Sequence, residues 1–342
     1  MLQELFRIPG LDWPVYGYGL MLVLGVYAAI ELGRYLANRV GINGDYFVTL
    51  GLLALAAGVV GARLSHVLEN LDLYTRADRS FWENLKAAAN LSSGGLTFYG
   101  GFLLATPVLI AYGVWRRIPL RLGMDIVAPC LMLGLAFGRV GCLLNGCCWG
   151  HVSHDSPLAV TFPYDSPPYN AHYEDGLLDP PPQALHVGPG KYVMSNDQTT
   201  LLPELKTKEQ VRTDPAVAEL AKQERSLPVH PTQVYSVLNA LLIMGVSLAY
   251  FTLRRSAGQV FALMLVLYSI GRFTLETLRI EPTVKFFGLD PGFSYSMWIA
   301  CLTFVTGIVL WLLFQKFHQR ADGGRQTAEP EQASLASSSA HP

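Results

Sequence analysis

Charged residues are scarce in this chain of 342 residues. They make up 15% of it, whereas soluble globular proteins carry about 25% at a similar apolar content, so an ordinary soluble protein is excluded. Neither sign of charge dominates, since the formal net charge is −1, and no overall positive field is present to attract nucleic acid. Hydrophobic residues make up 51% of the sequence, which excludes intrinsic disorder for most of its length.

The few charges are unevenly spread along the chain. Residues 151–229 hold 17 of the 51 charged residues and 11 of the 21 prolines. Outside this segment and the polar tail after Arg320, apolar runs dominate, and about 20 apolar residues suffice for a helix that crosses a bilayer. The sequence therefore predicts an all-α polytopic membrane protein with about seven transmembrane helices, at 14–33, 46–64, 96–115, 124–149, 231–253, 258–278 and 294–314.

Basic residues in the short loops predict the orientation in the membrane. They follow the odd-numbered runs, as Arg34, Arg39, Arg116, Arg117, Arg121, Arg254, Arg255, Lys316, Arg320 and Arg325. We therefore expect the N-terminus outside, the C-terminus in the cytoplasm, and 151–229 outside as a folded cap or an enlarged proline-rich loop. Four transmembrane helices then fall within 1–150 and three within 230–320. We expect no cleavable signal peptide and a disordered tail at 321–342.

Three arginines lie inside the apolar runs: Arg63, Arg139 and Arg272. A charged side chain at the bilayer centre costs about 3 kcal/mol or more, so such residues serve a cavity or a partner. Each arginine could pair with a carboxylate or with the carbonyls at a helix end and simply hold helices together. However, each also has a glycine within two positions, and acids are rare in the runs. Together these features favour an anionic ligand.

A polar stripe follows one face of the sixth run. Tyr268, Arg272, Glu276 and Arg279 stand at i, i+4, i+8 and i+11, so Glu276 can pair with either neighbouring arginine. Guanidinium groups bind phosphate bidentately and stay charged, which indicates a site for a phospholipid headgroup. A channel or transporter of small anions would show similar arginines, so the stripe alone does not indicate an enzyme.

Six sequence blocks, in order between about residues 14 and 282, carry a family resemblance. They are Tyr16-Gly17-Tyr18-Gly19-Leu20-Met21, Gly61-Ala62-Arg63-Leu64, Gly95-Leu96-Thr97-Phe98-Tyr99-Gly100-Gly101, Gly138-Arg139-Val140-Gly141-Cys142-Leu143-Leu144-Asn145-Gly146-Cys147-Cys148-Trp149-Gly150, His230-Pro231-Thr232-Gln233-Val234-Tyr235, and Tyr268 to Arg279. In these blocks the sequence resembles the bacterial prolipoprotein diacylglyceryl transferases, with 151–229 as an enlarged loop.

The resemblance implies a multi-pass enzyme of the bacterial cytoplasmic (inner) membrane that acts at its outer face. Such an enzyme moves the diacylglyceryl group of phosphatidylglycerol to the lipobox cysteine thiol of a prolipoprotein and releases glycerol phosphate, the first step of lipoprotein maturation. The implied partners are phosphatidylglycerol, the prolipoprotein signal peptide with its lipobox, and the lipid bilayer. No nucleic acid, metal or soluble cofactor is implied.

The resemblance also suggests roles for single residues. We expect Arg139 and Arg272 to clamp the phosphate, and Tyr18, Asn145 and Tyr268 to orient its oxygens and those of the glycerol. Candidate acceptors for the thiol proton are Glu276, His230 and Tyr99. The remaining expected substrate-binding residues are Arg63, Gly100, Gly101, Gly150, Gln233 and Arg279.

Three positions depart from the common family pattern. Many members have His in place of Tyr99, Asn in place of Cys142 and Glu in place of Cys147. The cluster Cys142, Cys147 and Cys148 has three readings, which are packing, a disulfide, and a metal site that lacks the paired C-x-x-C spacing. The departures leave two alternatives to the transferase: a relative that lipidates another acceptor, and a non-catalytic phospholipid-binding or transport protein.

Overall fold

The computed structural model of the chain describes residues 4–8, 10, 13–75, 80–90, 95, 97–188, 190–196, 200–279 and 292–317. Helices dominate: α1 Gly17–Arg39, α2 Asp45–Glu69, α3 Leu71–Tyr74, α4 Phe81–Ala89, α5 Phe98–Trp115, α6 Leu120–Asn145, α7 Pro167–Glu174, α8 Lys208–Arg212, α9 Pro215–Gln223, α10 Thr232–Leu253, α11 Gln259–Glu276 and α12 Tyr295–Lys316. The tail 321–342 and residues 91–94 and 96 of the glycine-rich block lie outside the described residues.

Six of the helices are long and apolar enough to cross a membrane: α1, α2, α6, α10, α11 and α12. The remaining predicted run, 96–115, which is the third in chain order, corresponds to the shorter apolar helix α5. These helices expose large apolar side chains, for instance Val23, Leu103 and Leu242, each more than 60% accessible. A lipid environment covers such surface, whereas water does not. The prediction of an all-α multi-pass membrane protein is confirmed.

The predicted run 124–149 is wrong at its C-terminal end. Helix α6 ends at Asn145, because Gly146 adopts a left-handed φ of +77° that interrupts the helix. Cys148 has φ +61°, which is rare for a residue with a side chain. The cysteine-rich half of this block is therefore a turn that follows the helix.

The described chain forms two compact units. One contains the described residues within 1–25, 135–243 and 266–305, and the other contains those within 26–134, 244–265 and 306–317. We call them the arginine unit and the glycine unit, respectively.

In the glycine unit, α2 and α5 cross at glycines. A Cβ atom on Gly61 would lie 2.4 Å from the Gly100 carbonyl oxygen, and one on Gly100 would lie 2.2 Å from Ser65 Cβ. A Cβ on Gly101 would lie 2.8 Å from the Gly58 carbonyl oxygen. Glycine at these positions lets the two backbones approach closely, as is common in membrane helices.

The glycine unit also contains a buried ion pair that the sequence did not reveal. Asp125 is completely buried, and its Oδ2 lies 3.2 Å from Nε of Arg254. The same carboxylate accepts hydrogen bonds from the backbone N–H groups of Gly258, Val260 and Phe261, at 2.8 to 3.1 Å. Asp125 therefore binds the N-terminal end of α11, where free N–H groups favour a negative charge.

In the arginine unit, the strands β1 Glu4–Ile8 and β2 Trp13–Tyr16 form an antiparallel pair that the sequence did not predict. The described residues within 151–229 fold into a small domain with α7, α8, α9 and a second strand pair, β3 Tyr192–Met194 and β4 Leu201–Pro203. Its buried core consists of Tyr164, Tyr169, Leu185, Val211, Val217 and Ala221. We call this domain the cap.

The two ends of the cap are hydrogen-bonded to each other. The N–H of Gly150 donates to the carbonyl of His230 at 3.0 Å, and the N–H of His230 donates to the carbonyl of His151 at 3.1 Å. The N–H of His151 in turn donates to the carbonyl of Leu278 at 2.9 Å. The chain thus enters and leaves the cap at one place, beside the end of α11.

Candidate active site

Glu276, at the end of α11, holds two arginines in the arginine unit. Its side chain is almost fully buried, and its Oε2 lies 2.9 Å from Nη2 of Arg272 and 3.9 Å from Nη1 of Arg279. Its Oε1 accepts a hydrogen bond from the Ser294 hydroxyl at 3.0 Å. The helical spacing allowed Glu276 to pair with either arginine, and in the structure both lie within ion-pair distance of it.

Arg272 is fixed from a second direction. Its Nη2 also donates to the Ser296 hydroxyl, at the start of α12, at 2.8 Å. The side chain remains about one-fifth accessible, so the guanidinium is anchored on one side and open on another. A cation held in this way needs little reorganisation when it meets an anion.

Arg139 on α6 and Arg272 on α11 line the same pocket. Its walls consist of Leu135, Arg139, Ser236, Asn239, Tyr268, Arg272 and Leu275. The structure therefore brings together three of the residues singled out from the sequence: Arg139, Tyr268 and Arg272. Gly271 has a structural role here, because a Cβ at that position would lie 2.2 Å from the Asn239 side-chain nitrogen.

Sequence reasoning missed several polar groups around this pocket. Ser236 and Asn239 form part of its wall, and together with Thr232 they follow the i, i+4, i+7 spacing of one helix face within an apolar run. That spacing was the signal that could have revealed them. Ser294 and Ser296, which bind Glu276 and Arg272, carry no comparable signal in the sequence.

Arg139 differs from the other two arginines in its partners. It makes no hydrogen bond or ion pair with any residue that the structure describes, whereas Arg272 and Arg279 both face Glu276. Among the described residues, Glu276 faces Arg272 and Arg279, and Arg139 adds a further positive charge to the wall of the pocket. An apolar surrounding strengthens the attraction of such charges for an anion.

The turn after α6 is held by α10. Nε2 of Gln233, a completely buried residue, donates to the Cys147 carbonyl at 2.8 Å, and the Thr232 hydroxyl donates to the Cys148 carbonyl at 2.6 Å. The Asn145 side chain hydrogen-bonds the Cys147 thiol. Hydrogen bonds from the Cys142 and Cys147 thiols lower the pKa of the Cys148 thiol, and the charges of Arg139 and Arg279 act in the same direction.

Gly150 and His230 are placed by the backbone bonds at the entrance of the cap. A Cβ on Gly150 would lie 2.6 Å from the Leu278 carbonyl oxygen, so only glycine fits between the neighbouring chains. Nδ1 of His230 lies 3.4 Å from the Tyr235 hydroxyl. Tyr18 packs against Gly141 of α6 and interacts electrostatically with Arg139.

The remaining predicted residues, Arg63, Tyr99, Gly100 and Gly101, belong to the glycine unit. Arg63 is 6% exposed and donates to the carbonyls of Ala87 and Ala88 at 2.9 and 2.8 Å, and to that of Gly95 at 3.1 Å. It therefore binds the C-terminal end of α4, as a cation does favourably. Tyr99 is exposed in the first turn of α5. The substrate role of these residues stays a prediction.

A comparison with protein families identifies the family of the chain that forms this pocket. The family model for prolipoprotein diacylglyceryl transferase matches residues 3–313, nearly the whole described chain. This chain belongs to the prolipoprotein diacylglyceryl transferase family.

Individual transferases of the family match over different lengths. A phosphatidylglycerol–prolipoprotein diacylglyceryl transferase of Clostridium tetani is 26% identical over 313 residues, which cover 91% of this chain and 97% of that protein. The Burkholderia orbicola enzyme of the same name is 30% identical over 304 residues, 86% of this chain and 88% of that protein. The Rhodopirellula baltica enzyme is 37% identical over 153 residues, which cover 44% of this chain but only 30% of that protein.

Membership of the transferase family confirms the resemblance inferred from the six sequence blocks and makes the chain a membrane transferase. Two of the three departures from the common pattern, Cys142 and Cys147, lie in the arginine unit, where both thiols interact electrostatically with Tyr18. The third, Tyr99, lies in the glycine unit.

Proposed function

We propose that this chain transfers the diacylglyceryl group of phosphatidylglycerol to the lipobox cysteine of prolipoproteins, at the outer face of the bacterial inner membrane. The observation that carries the proposal is the pocket in which Arg139 and Arg272 stand together with an excess of positive charge. Family membership supports the reaction type, and the substrates are those in the names of the related enzymes.

The chemistry explains the need for arginines. A bond forms between the lipobox sulfur and a glyceryl carbon of the lipid, and the bond between that carbon and a phosphate oxygen breaks. The electron pair of the broken bond goes to the phosphate of the departing glycerol phosphate, so negative charge grows there. Arg139 and Arg272 stabilise this charge, and preorganised positive groups in a site that excludes water contribute strongly to such a step.

The neighbouring groups have supporting roles. Arg272 is fixed before substrate arrives. Glu276 and Ser296 contact it directly, and Ser294 holds the Glu276 carboxylate. Tyr268 and Asn239 line the same pocket and can donate hydrogen bonds to phosphate or glycerol oxygens. Arg279 adds positive charge at the end of α11.

The test is an in vitro transfer assay with full-length protein in phosphatidylglycerol-containing vesicles and a fluorescent lipobox peptide. Arg139→Ala and Arg272→Ala should each lower kcat about 100-fold or more, because each removes a group that stabilises transition-state charge. Arg272→Lys should recover only part of the loss, since lysine lacks the bidentate fork.

The matched control is Arg255→Ala, because Arg255 is exposed and belongs to the glycine unit. It should keep full activity. Full activity of both pocket variants at equal expression would refute the assignment. Release of glycerol phosphate without lipidated peptide would indicate a different acceptor.

A further inference from the structure

Three thiols form a cluster that the phosphate chemistry above does not use. The Sγ atoms of Cys142, Cys147 and Cys148 all lie within 4.8 Å of one another, and all three residues are half-buried. Among the described residues, no other group of three His, Cys, Asp or Glu side chains is this close. We call these residues the three-thiol cluster.

The spacing suits a metal ion better than a disulfide. Zinc binds thiolate sulfur at about 2.3 Å in a tetrahedron, which places two sulfur ligands about 3.8 Å apart. Three sulfurs within 4.8 Å of one another reach that arrangement with small shifts. A disulfide joins only two sulfurs, at about 2.05 Å, and leaves the third thiol without a role.

The position of the cluster is set by groups other than its own sulfurs. Gln233 and Thr232 bind the carbonyls of Cys147 and Cys148, and Cys148 adopts a left-handed backbone conformation that turns the chain back. Helix α6 carries Cys142. Contacts of this kind around ligands orient them for a metal.

Positive charge lies near the cluster. Three thiolates and one Zn²⁺ together would carry a charge of −1, and the guanidinium groups of Arg139 and Arg279 interact electrostatically with Cys148. Cations near the cluster offset the net negative charge of such a centre. Arg139 also lines the pocket with Arg272 that is proposed to bind the phosphate. The same side chain therefore acts on both the cluster and that pocket.

We propose that Cys142, Cys147 and Cys148 bind a Zn²⁺ ion as three thiolates and leave its fourth position open to an incoming thiol. Binding of the ion releases the three thiol protons to solvent. Three protein ligands with an open position are characteristic of catalytic zinc, and a coordinated thiol loses its proton. This site differs from the sequence-based expectation, in which no metal is implied.

The incoming thiol is the lipobox cysteine, and this part rests on the proposed function. A free thiol has a pKa of about 8.5 and needs activation to attack as thiolate. On zinc, its proton passes to solvent, and the bound sulfur then forms the bond to the glyceryl carbon as the bond to phosphate oxygen breaks. The thioether product is a weaker ligand, so it leaves and water takes its place.

The first test measures metal content. Full-length protein in detergent is reduced, stripped with a chelator, incubated with Zn²⁺, desalted and analysed by mass spectrometry for bound zinc. Wild type should retain a single ion per chain, whereas Cys142→Ser, Cys147→Ser and Cys148→Ser should each bind zinc at least about tenfold more weakly. Cys130→Ser and Cys301→Ser are the matched controls and should bind like wild type.

The second test needs no variant. Co²⁺ bound to wild type should show the charge-transfer absorption of thiolate ligands and the visible bands of a tetrahedral site. Addition of a lipobox peptide should change these bands, whereas the same peptide with serine in place of its cysteine should not. The cobalt spectrum remains informative even where a cysteine variant fails to fold.

The outcomes separate this inference from the proposed function. Two results together overturn the zinc site and leave the transferase intact: the stripped protein transfers lipid, and it retains no zinc after incubation with Zn²⁺. Loss of two titratable thiols in unreduced protein, together with no metal binding, overturns it in favour of a disulfide. Zinc binding without a spectral response to the cysteine peptide overturns the open fourth position.

Discussion

Glu276 is the side chain on which the placement of two arginines depends. Its Oε1 is engaged by Ser294 and its Oε2 faces Arg272 and Arg279. The carboxylate thus faces three partners, two of which are arginines. We therefore favour a positioning role for Glu276, while its role as a base stays a prediction.

Glu276→Gln should test that positioning role. The amide keeps the size of the side chain but loses its charge, so the two partly buried arginines lose the carboxylate that they share and Arg272 shifts. Displacement of a positioned group by about 1 Å can cost roughly 100-fold in rate, so we expect a loss of that order in kcat. The transfer assay across pH 6 to 9 measures it: a positioning role predicts the same fractional loss at every pH, whereas a base would change the pH profile.

The control for this variant is Glu31→Gln. Glu31 lies 3.9 Å from Arg34 in an exposed pair, and such pairs contribute little. It should leave kcat unchanged. Wild-type activity of Glu276→Gln would show that Arg272 does not need its carboxylate partner.

Single residues also show where prediction from sequence succeeds. Tyr268, Arg272 and Glu276 were placed together because helical spacing fixes which side chains share a face. Arg63 looked the same in the sequence, an arginine beside glycine in an apolar run, but its partners are carbonyls 24 to 32 residues further along the chain. No local pattern contains such a contact.

At the scale of helices, the crossing of α2 and α5 depends on where a side chain can be accommodated. A Cβ on Gly61 would meet the backbone of α5, whereas one on Gly58 has nothing within 4 Å. Both glycines lie on α2, three residues apart. They therefore form an internal pair of test positions.

Gly61→Ala should destabilise the protein by about 1–3 kcal/mol, because the backbones of α2 and α5 must separate. Gly58→Ala should be neutral or stabilising, since alanine is favoured over glycine in a helix by about 1 kcal/mol. The half-life of transfer activity at a fixed elevated temperature in detergent measures both. Equal half-lives for the two variants would show that the close crossing does not limit stability.

The cap shows what composition cannot predict at this scale. Its prolines suggested irregular structure, yet Pro167 and Pro215 stand in the first turns of α7 and α9, where proline is well tolerated. Asp214 caps α9 and Thr207 forms a capping box with Gln210 at α8. A folded cap differs from a loose loop in that the segments with these helix signals pack around Tyr169 and Leu185. Only the tertiary structure shows this packing.

For the molecule as a whole, the apolar runs were sufficient to predict the helices that cross the membrane. Length and hydrophobicity fix them because the bilayer imposes a thickness. The orientation in the membrane stays a prediction from the basic residues in the short loops. Both proposed sites require that the cap lie outside, where the lipobox of a prolipoprotein is presented.

Cysteine labelling tests that orientation. Asp179→Cys in the cap and Arg255→Cys between α10 and α11 both replace exposed residues. A membrane-impermeant maleimide added to intact spheroplasts should label Asp179→Cys and reach Arg255→Cys only after permeabilisation, with wild type giving the background of the five native cysteines. The reverse pattern would place the cap in the cytoplasm.

The hydrogen bonds that join the two ends of the cap have a consequence for how this chain can vary. Because Gly150 and His151 bond directly to His230, the cap is an insertion whose termini meet, and its removal leaves a gap that a short connection can close. The entropy of closing a loop grows only with the logarithm of its length, so a longer or shorter insert changes stability little. This junction is therefore a natural point for exchanging whole domains, while the helices that carry the arginines keep their register.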